Sequence, residues 1–318
     1  TNLDVYYLEV IDCVSVQGDD VRWRLPSSFI SELLKTIKPM PGKTILLSQQ
    51  AGSGIVTIQS GRMRASVGII DPEYYPEFEV VDPDHLHKVN GLGARIESVA
   101  WAAAKAGSEP LNGVHFDGTH IIATDNYRVA RVPLSIPLAT PVTVPAVALF
   151  PLLKRAGEIE VGFTEHQMVI RPDEYTQIVC SIFGLPFVNV SKLMTLTYDH
   201  ELRVNKQELV DLITRVGAAA GGDRNPILRL IIGKGEIAAM VQGGQQMIGD
   251  VIEVPGQCNH ARISSYFSPQ YLIDALSRAP GDAATLHYRE ESETRMPTRV
   301  DGGSDYQAWV APRRATKD

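Results

Sequence analysis

The 318-residue chain sets 30 lysines and arginines against 37 aspartates and glutamates, a formal net charge of −7, which disfavours a grip on nucleic acid by bulk charge. Its 44% hydrophobic and 21% charged residues are those of a soluble globular protein too long for one ordinary core, so two or three domains are expected. No run approaches the roughly 18 apolar residues of a membrane span, and no basic-then-apolar leader opens the chain. Cys13, Cys180 and Cys258 are odd in number, far apart and outside any CxxC pair. They argue against a disulfide framework or a zinc site and fit a reducing cytoplasm. Asn189-Val190-Ser191 matches a glycosylation acceptor but has no secretory route behind it.

In chain order, the opening "TNLDVYYLEV" reads as a strand, and "LPSSFISELLKTI" (25–37) as a helix with Pro26 in its first turn and Phe29, Ile30, Leu33 and Leu34 at helical spacing. Alternating strands fill 44–69, with a hairpin tip at Ala51-Gly52-Ser53-Gly54; no GKS or GKT follows, so it is not a phosphate loop. The segment 72–93, rich in proline and charge, reads as a linker. A helix is expected over 94–107, followed by a hairpin turning at Asp117-Gly118. "IIATDNYRVARVP" (121–133) then sets a polar, turn-forming knot between two strand-like runs; its plain reading is a hairpin turn with an Asx bond. "VPAVALFPLLKRA" (144–156) reads as a helix that Pro151 should shorten or kink. Strands follow over 159–183, and a helix over 205–221 opens with Asn205 and Glu208 at capping-box spacing. A hairpin at Gly233-Lys234, the helix "FSPQYLIDALSRA" (267–279) and strands over 284–312 complete the chain.

The order repeats. Residues 25–37, 144–156 and 267–279 align without a gap, as do "EPLNGVHFDGTHIIATD" (109–125) and "NPILRLIIGKGEIAAMV" (225–241). The period is on the order of 115 to 120 residues, longer than the usual solenoid repeats. The unit is helix, strands, helix, strands, which makes the fold class α+β, with paired helices packed on antiparallel sheets. The expected divisions are 1–82, the back half of one unit; a linker at 83–93; and two complete units at 94–199 and 200–318.

Each helix carries a cation toward its C-terminal end: Lys35 and Lys38, Lys105, Lys154 and Arg155, Arg215, and Arg278. Complementarity to the helix dipole explains each one singly. Set side by side by the repeat, they become a basic stripe that attracts phosphate without regard to sequence. The acids Glu73, Glu77, Glu79, Asp82 and Asp84 would sit elsewhere. Two enzyme readings are weak. His85 and His87 with Asp82 and Asp84 have no second cluster to complete a metal site. Asp125 and Arg128, as an acid and an electrophile, lack any partner pattern, and no nucleophile elbow, P-loop or HExxH is present. A repeat-built interaction scaffold without DNA keeps the fold and changes the function.

The repeat, together with "IIATDNYRVA", "VPAVALFPLLK" and the terminal "AWVAPRR", resembles one family, the bacterial-type sliding clamp or beta subunit of DNA polymerase III. In that family a strand-turn close to "ATDGHRLA" is followed by a "VPAKAL…LL" helix, and the chain ends near "MPMRL". The resemblance implies repeated clamp domains, two subunits joined head to tail in a homodimeric ring, helices lining a DNA-sized hole, and no catalytic residue, metal or cofactor. It implies a cytoplasmic, nucleoid-associated processivity factor that encircles double-stranded DNA. Such a factor would tether the replicative polymerase and the clamp loader through short linear peptides.

The family's peptide pocket, carried over by position, would use Leu111, Thr124, Asn126, Tyr127, Arg128 and Val129. Val188, Lys192 and Leu193 would join from "GLPFVNVSKLM", and Trp309, Val310, Ala311, Pro312, Arg313 and Arg314 would close it. Asn126 stands where the family usually has glycine, Ala311 and Arg313 replace bulky methionines, and the tail runs on as "ATKD". Six helices are implied and five are found, so an N-terminal segment of roughly 40 to 50 residues is expected to be lacking.

Overall fold

The computed structural model describes residues 5–9, 15–18, 21, 23–37, 44–70, 83–105, 107, 109–153, 155–218, 226–243, 246–290, 296–303 and 305–314. They fall into two compact units, Ile11–Glu79, and Thr1–Val10 with Val80–Asp318. The expected division at 1–82 therefore loses its first strand to the larger unit. The reason is pairing: β1 (Val5–Glu9) hydrogen-bonds into a sheet built by residues 86–181.

In the smaller unit Pro26 precedes α1 (Ser27–Thr36), its fixed φ near −60° suited to a helix start. Three strands follow: β2 (Leu46–Gln49), β3 (Ile55–Ser60) and β4 (Met63–Gly68), paired in that order. Val56, Ile58 and Val67 are its buried core, against which Trp23, Leu25, Ile30 and Leu33 pack.

The second repeat corrects the sequence reading at its start. Residues 83–93 are no linker: β5 (Leu86–Asn90) is a strand, and α2 (Leu92–Ala100) begins directly after it. Leu92, Ile96 and Val99 line one buried face of α2, each contributing about 1.5–3 kcal/mol of burial. Gly93 lets that face approach the next helical segment, because a Cβ there would lie 2.2 Å from the Leu152 carbonyl oxygen. Next come β6 (Gly113–Phe116), β7 (His120–Thr124), β8 (Arg128–Pro133) and β9 (Val142–Pro145). The following helix is short, α3 (Ala146–Leu149) running into a 3-10 turn at Phe150–Leu152, as Pro151 requires by lacking an N–H. The repeat closes with β10 (Glu158–Phe163), β11 (Gln167–Asp173) and β12 (Thr176–Ser181).

A connector holding one helical turn, α4 (Ser191–Met194), leads to the third repeat. There β13 (His200–Asn205) precedes α5 (Lys206–Ala218), whose first turn is capped by Asn205 Oδ1 accepting from the Gln207 and Glu208 amides at 2.9 and 3.2 Å. Then follow β14 (Leu228–Gly233), β15 (Glu236–Gly243), β16 (Gln246–Glu253), β17 (Ile263–Phe267), α6 (Pro269–Arg278), β18 (Ala283–Tyr288), β19 (Thr298–Asp301) and β20 (Gln307–Val310). Leu209, Leu212, Ile213 and Val216 of α5 face Leu272, Ala275 and Leu276 of α6 in one core that spans the second and third repeats. No helix among the described residues is long and apolar enough to cross a membrane.

The sheets follow the repeat. One is ordered β1-β12-β11-β10-β5, and another β13-β18-β19-β20-β8-β7-β6-β9. In the second sheet the third repeat's β20 pairs antiparallel with the second repeat's β8, from Gln307↔Arg131 to Val310↔Arg128. The β1–β12 pair is the same junction one repeat earlier. The remaining sheets, β16-β15-β14-β17 and β2-β3-β4, end on β16 and β4, which among the described residues have no outer neighbour.

Candidate functional site

The polar knot at 124–128 is a hairpin turn. The Asp125 carboxylate accepts from the Tyr127 and Arg128 amides at 3.0 and 3.1 Å, an Asx turn, while Asn126 takes a left-handed φ of 73°. Thr124 is buried, its hydroxyl donating to the Arg128 carbonyl at 2.8 Å and accepting from the Asn126 amide. Tyr127 stands out into solvent, 64% exposed.

Beyond the turn, strand alternation sends neighbours to opposite faces. On the outer face Val129 lies opposite Trp309 across the β8–β20 junction. With Ile122 they form a small buried cluster of their own, covered by Phe187, Val190, Leu193 and Met194 of the connector. Phe187 is held there by stacking on His115, centroids 4.3 Å apart. Burial holds the His115 ring below the ordinary histidine pKa, so it stacks as a neutral ring.

The proposed pocket is thus only partly assembled. Val129, Leu193 and Trp309 come together, and Trp309, only 1% exposed, fills the floor itself. Arg128 and Val310 face the other way, because each lies one residue from an outward-facing neighbour. Val310 joins the main core. Arg128 Nε lies 3.0 Å from Asp125 and Nη1 2.7 Å from Asp274, with the guanidinium over the rings of Trp101 and Tyr271. Its role is a strut between the hairpin and α6, not a pocket wall.

Leu111 sits in the turn before β6, its carbonyl bonded to Ala104, and belongs to no part of the outer cluster. Val188 is half-buried outside that cluster, and Lys192 is exposed on α4. Ala311 is fixed to the Tyr127 carbonyl at 2.8 Å, and the half-buried Pro312 follows. Arg313 turns toward β17, its amide bonding the Tyr266 carbonyl and its side chain the Pro226 carbonyl. Arg314 is exposed. Ile122, Phe187, Val190 and Met194 are the residues that sequence reasoning missed. Ile122 was accessible to it, since it lies two positions before Thr124 on the same strand face.

Neither a family model nor a curated protein matches the chain. Solved structures do. The DNA polymerase III beta subunit of Thermotoga maritima superposes with a TM-score of 0.82 at 18% identity, covering 99% of this chain and 87% of that one. That of Pseudomonas aeruginosa gives 0.78 at 17%, covering 99% and 88%. The Helicobacter pylori beta clamp, solved bound to a DNA ligase peptide, gives 0.78 at 15%, with the same coverage. The chain has the beta sliding-clamp fold.

Within this clamp fold the helix cations are not a bare basic stripe. Arg278 lies 2.5 Å from Glu97 on α2, Arg215 2.7 Å from Asp250 on β16, and Lys35 2.5 Å from Glu32; Arg155 is paired with Asp173. The Arg215 guanidinium beside Asp250 holds that carboxyl below the usual carboxylate range. The Thr176 hydroxyl, with Arg155, does the same for Asp173. Lys105 is exposed, and Lys38 and Lys154 lie outside the described residues. Pairing with acids offsets part of the positive charge that these four paired cations bring to the helix ends.

Proposed function

We propose that the protein is a DNA sliding clamp, a processivity factor that encircles duplex DNA as a head-to-tail homodimeric ring and performs no catalytic step. The observation that carries this reading is the equivalence of edges. Along the repeat, β16 stands where β8 and β1 stand, and β4 stands where β20 and β12 stand. The two internal junctions are already paired in the chain, and their counterparts, β16 and β4, each end a sheet with no outer neighbour among the described residues. Pairing β16 of one copy with β4 of the other repeats the same junction, and doing so twice closes a ring of two-fold symmetry. β16 is suited to an interface: Met247, Ile248 and Val251 are large apolar side chains left exposed on it.

The outer apolar cluster at the β8–β20 junction supports a docking place for an extended peptide of the replicative polymerase or clamp loader. Its accessible part consists of Phe187, Val190, Leu193, Met194 and the exposed Tyr127, over a floor closed by Trp309.

Because Lys35, Arg155, Arg215 and Arg278 are paired with acids, retention is expected to come from topology rather than charge. A short linear duplex is therefore expected to bind weakly, with a Kd no tighter than about 10⁻⁶ M at physiological salt and a log–log salt slope shallower than about −2. Fluorescence anisotropy titrations at several salt concentrations measure both. Tight binding with a steep slope would assign the DNA to a charged surface and remove the topological reading. The paired cations equally suit a repeat-built protein-interaction scaffold without DNA, which predicts no retention on DNA of any form.

A further inference from the structure

Beside the apolar cluster, on the same outer face, lies a notch of about 190 Å³ lined by His120, Arg131, Pro133, Asp301, Asp305 and Gln307. Arg131 is two residues after Val129 on β8, opposite Ile122 on β7 and Gln307 on β20. Its guanidinium is half-buried, yet its hydrogen-bond partners are soft or neutral: the Met194 sulfur at 3.2 Å and the His120 ring, with Nε2 at 2.6 Å.

The His120 ring is an acceptor here. The Thr119 hydroxyl donates to Asp117 at 2.8 Å, which leaves its oxygen to accept from His120 Nδ1–H at 2.8 Å and frees Nε2 for Arg131. Burial, and then Arg131 itself, hold His120 below its ordinary pKa, consistent with a neutral ring. The acid at the base of the notch is already engaged, Asp301 lying 2.9 Å from both His287 and Arg299. Asp305 stands at the exposed lip, where solvent screens it. A guanidinium has five donors and pairs most strongly with a carboxylate, two donors at a time. Arg131 has no such partner among the described residues.

We propose that this notch is a specificity subsite in which Arg131 takes a carboxylate of the docked peptide, an acidic side chain two positions from the apolar residue seated on the cluster. The spacing follows from geometry. Val129 and Arg131, two apart on one strand face, are separated by roughly 6.5–7 Å, the separation of alternate side chains in an extended peptide. The inference rests on the peptide-docking reading above and adds to it the chemistry of the peptide.

The test is anisotropy on the full chain with short labelled peptides. They share one apolar anchor and carry Glu, Gln or Ala two positions to either side of it. The Glu peptide is expected to bind about tenfold or more tighter than the Ala peptide, with Gln between. In Arg131→Gln the Glu-to-Ala ratio should fall to near one, and Arg131→Lys should restore part of it. Unchanged circular dichroism and melting temperature confirm that both variants fold. Equal binding of Glu and Ala peptides, a preference for Gln over Glu, or a ratio that survives Arg131→Gln overturns the assignment while leaving docking intact. Failure of every peptide to bind the unaltered protein removes the docking reading, and this subsite with it.

Discussion

Replacing Arg128 by methionine is expected to cost about 3 kcal/mol of folding stability, although the substitution keeps the unbranched apolar stem of the side chain. Arg128 is 5% exposed, and it is the counter-charge for Asp125, 11% exposed, and Asp274, 26% exposed. Methionine would leave both carboxylates without it in a partly dry site, and would lose the cation–π contacts with Trp101 and Tyr271 at 5.1 and 4.4 Å. The lower end of the range for broken buried pairs applies because Asp274 is partly open to water. The strut joins the β7–β8 hairpin to α6, so its loss loosens the contact between the second and third repeats. Urea unfolding of the two proteins gives the difference. Arg128→Met combined with Asp274→Asn should recover part of the loss, since it removes one uncompensated charge. A change within about 0.5 kcal/mol for the single variant would show that the strut carries little of the fold.

A second large effect is expected at β16. Val251→Arg should raise the dimer dissociation constant about 100-fold, equivalent to about 2.7 kcal/mol. The exposed apolar side chain, 49% exposed in the single chain, would be covered in the proposed strand pairing, and an arginine there must shed water without a designed partner. The monomer should be unharmed, because the position already faces solvent. Sedimentation equilibrium over nanomolar to micromolar protein reads the shift, and the melting temperature of the dilute variant checks its fold. A wild-type chain that is monomeric at micromolar concentration, or a variant that dimerises as tightly as the wild type, contradicts the proposed closure.

Much of this architecture is legible in the sequence because it repeats. The helices at 27–36 and 269–278 are announced by a proline at the helix start, Pro26 just before the one and Pro269 opening the other, and by apolar residues at helical spacing. The truncated helix at 146–149 is announced by Pro151. The β5 strand escaped because its composition, with one histidine, a lysine and nearby prolines, reads as a linker; its place is fixed only by pairing with β10, some 70 residues on. Arg128 and Val310 were carried into the pocket by position from the family, whereas the two-residue period of this chain's strands sets them on the opposite face from Val129 and Trp309. Phe187, Val190 and Met194 lie on a connector with no periodicity, so only the folded chain shows that they cover the junction. Arg215 and Arg278 looked available because their acids are remote in sequence: Asp250 is 35 residues from Arg215, and Glu97 is 181 from Arg278. Long-range ion pairs leave no local pattern to read.

The central claim is topological, and one measurement addresses it directly. The protein is loaded with a bacterial clamp loader and ATP onto nicked circular DNA, separated from free protein at moderate salt, and the complex is then cut once with a restriction enzyme. Retention on the circle and release after linearisation is the predicted result, since a closed ring with paired cations can leave only by sliding off an end. Equal retention before and after cutting, or no retention on the circle, would contradict it.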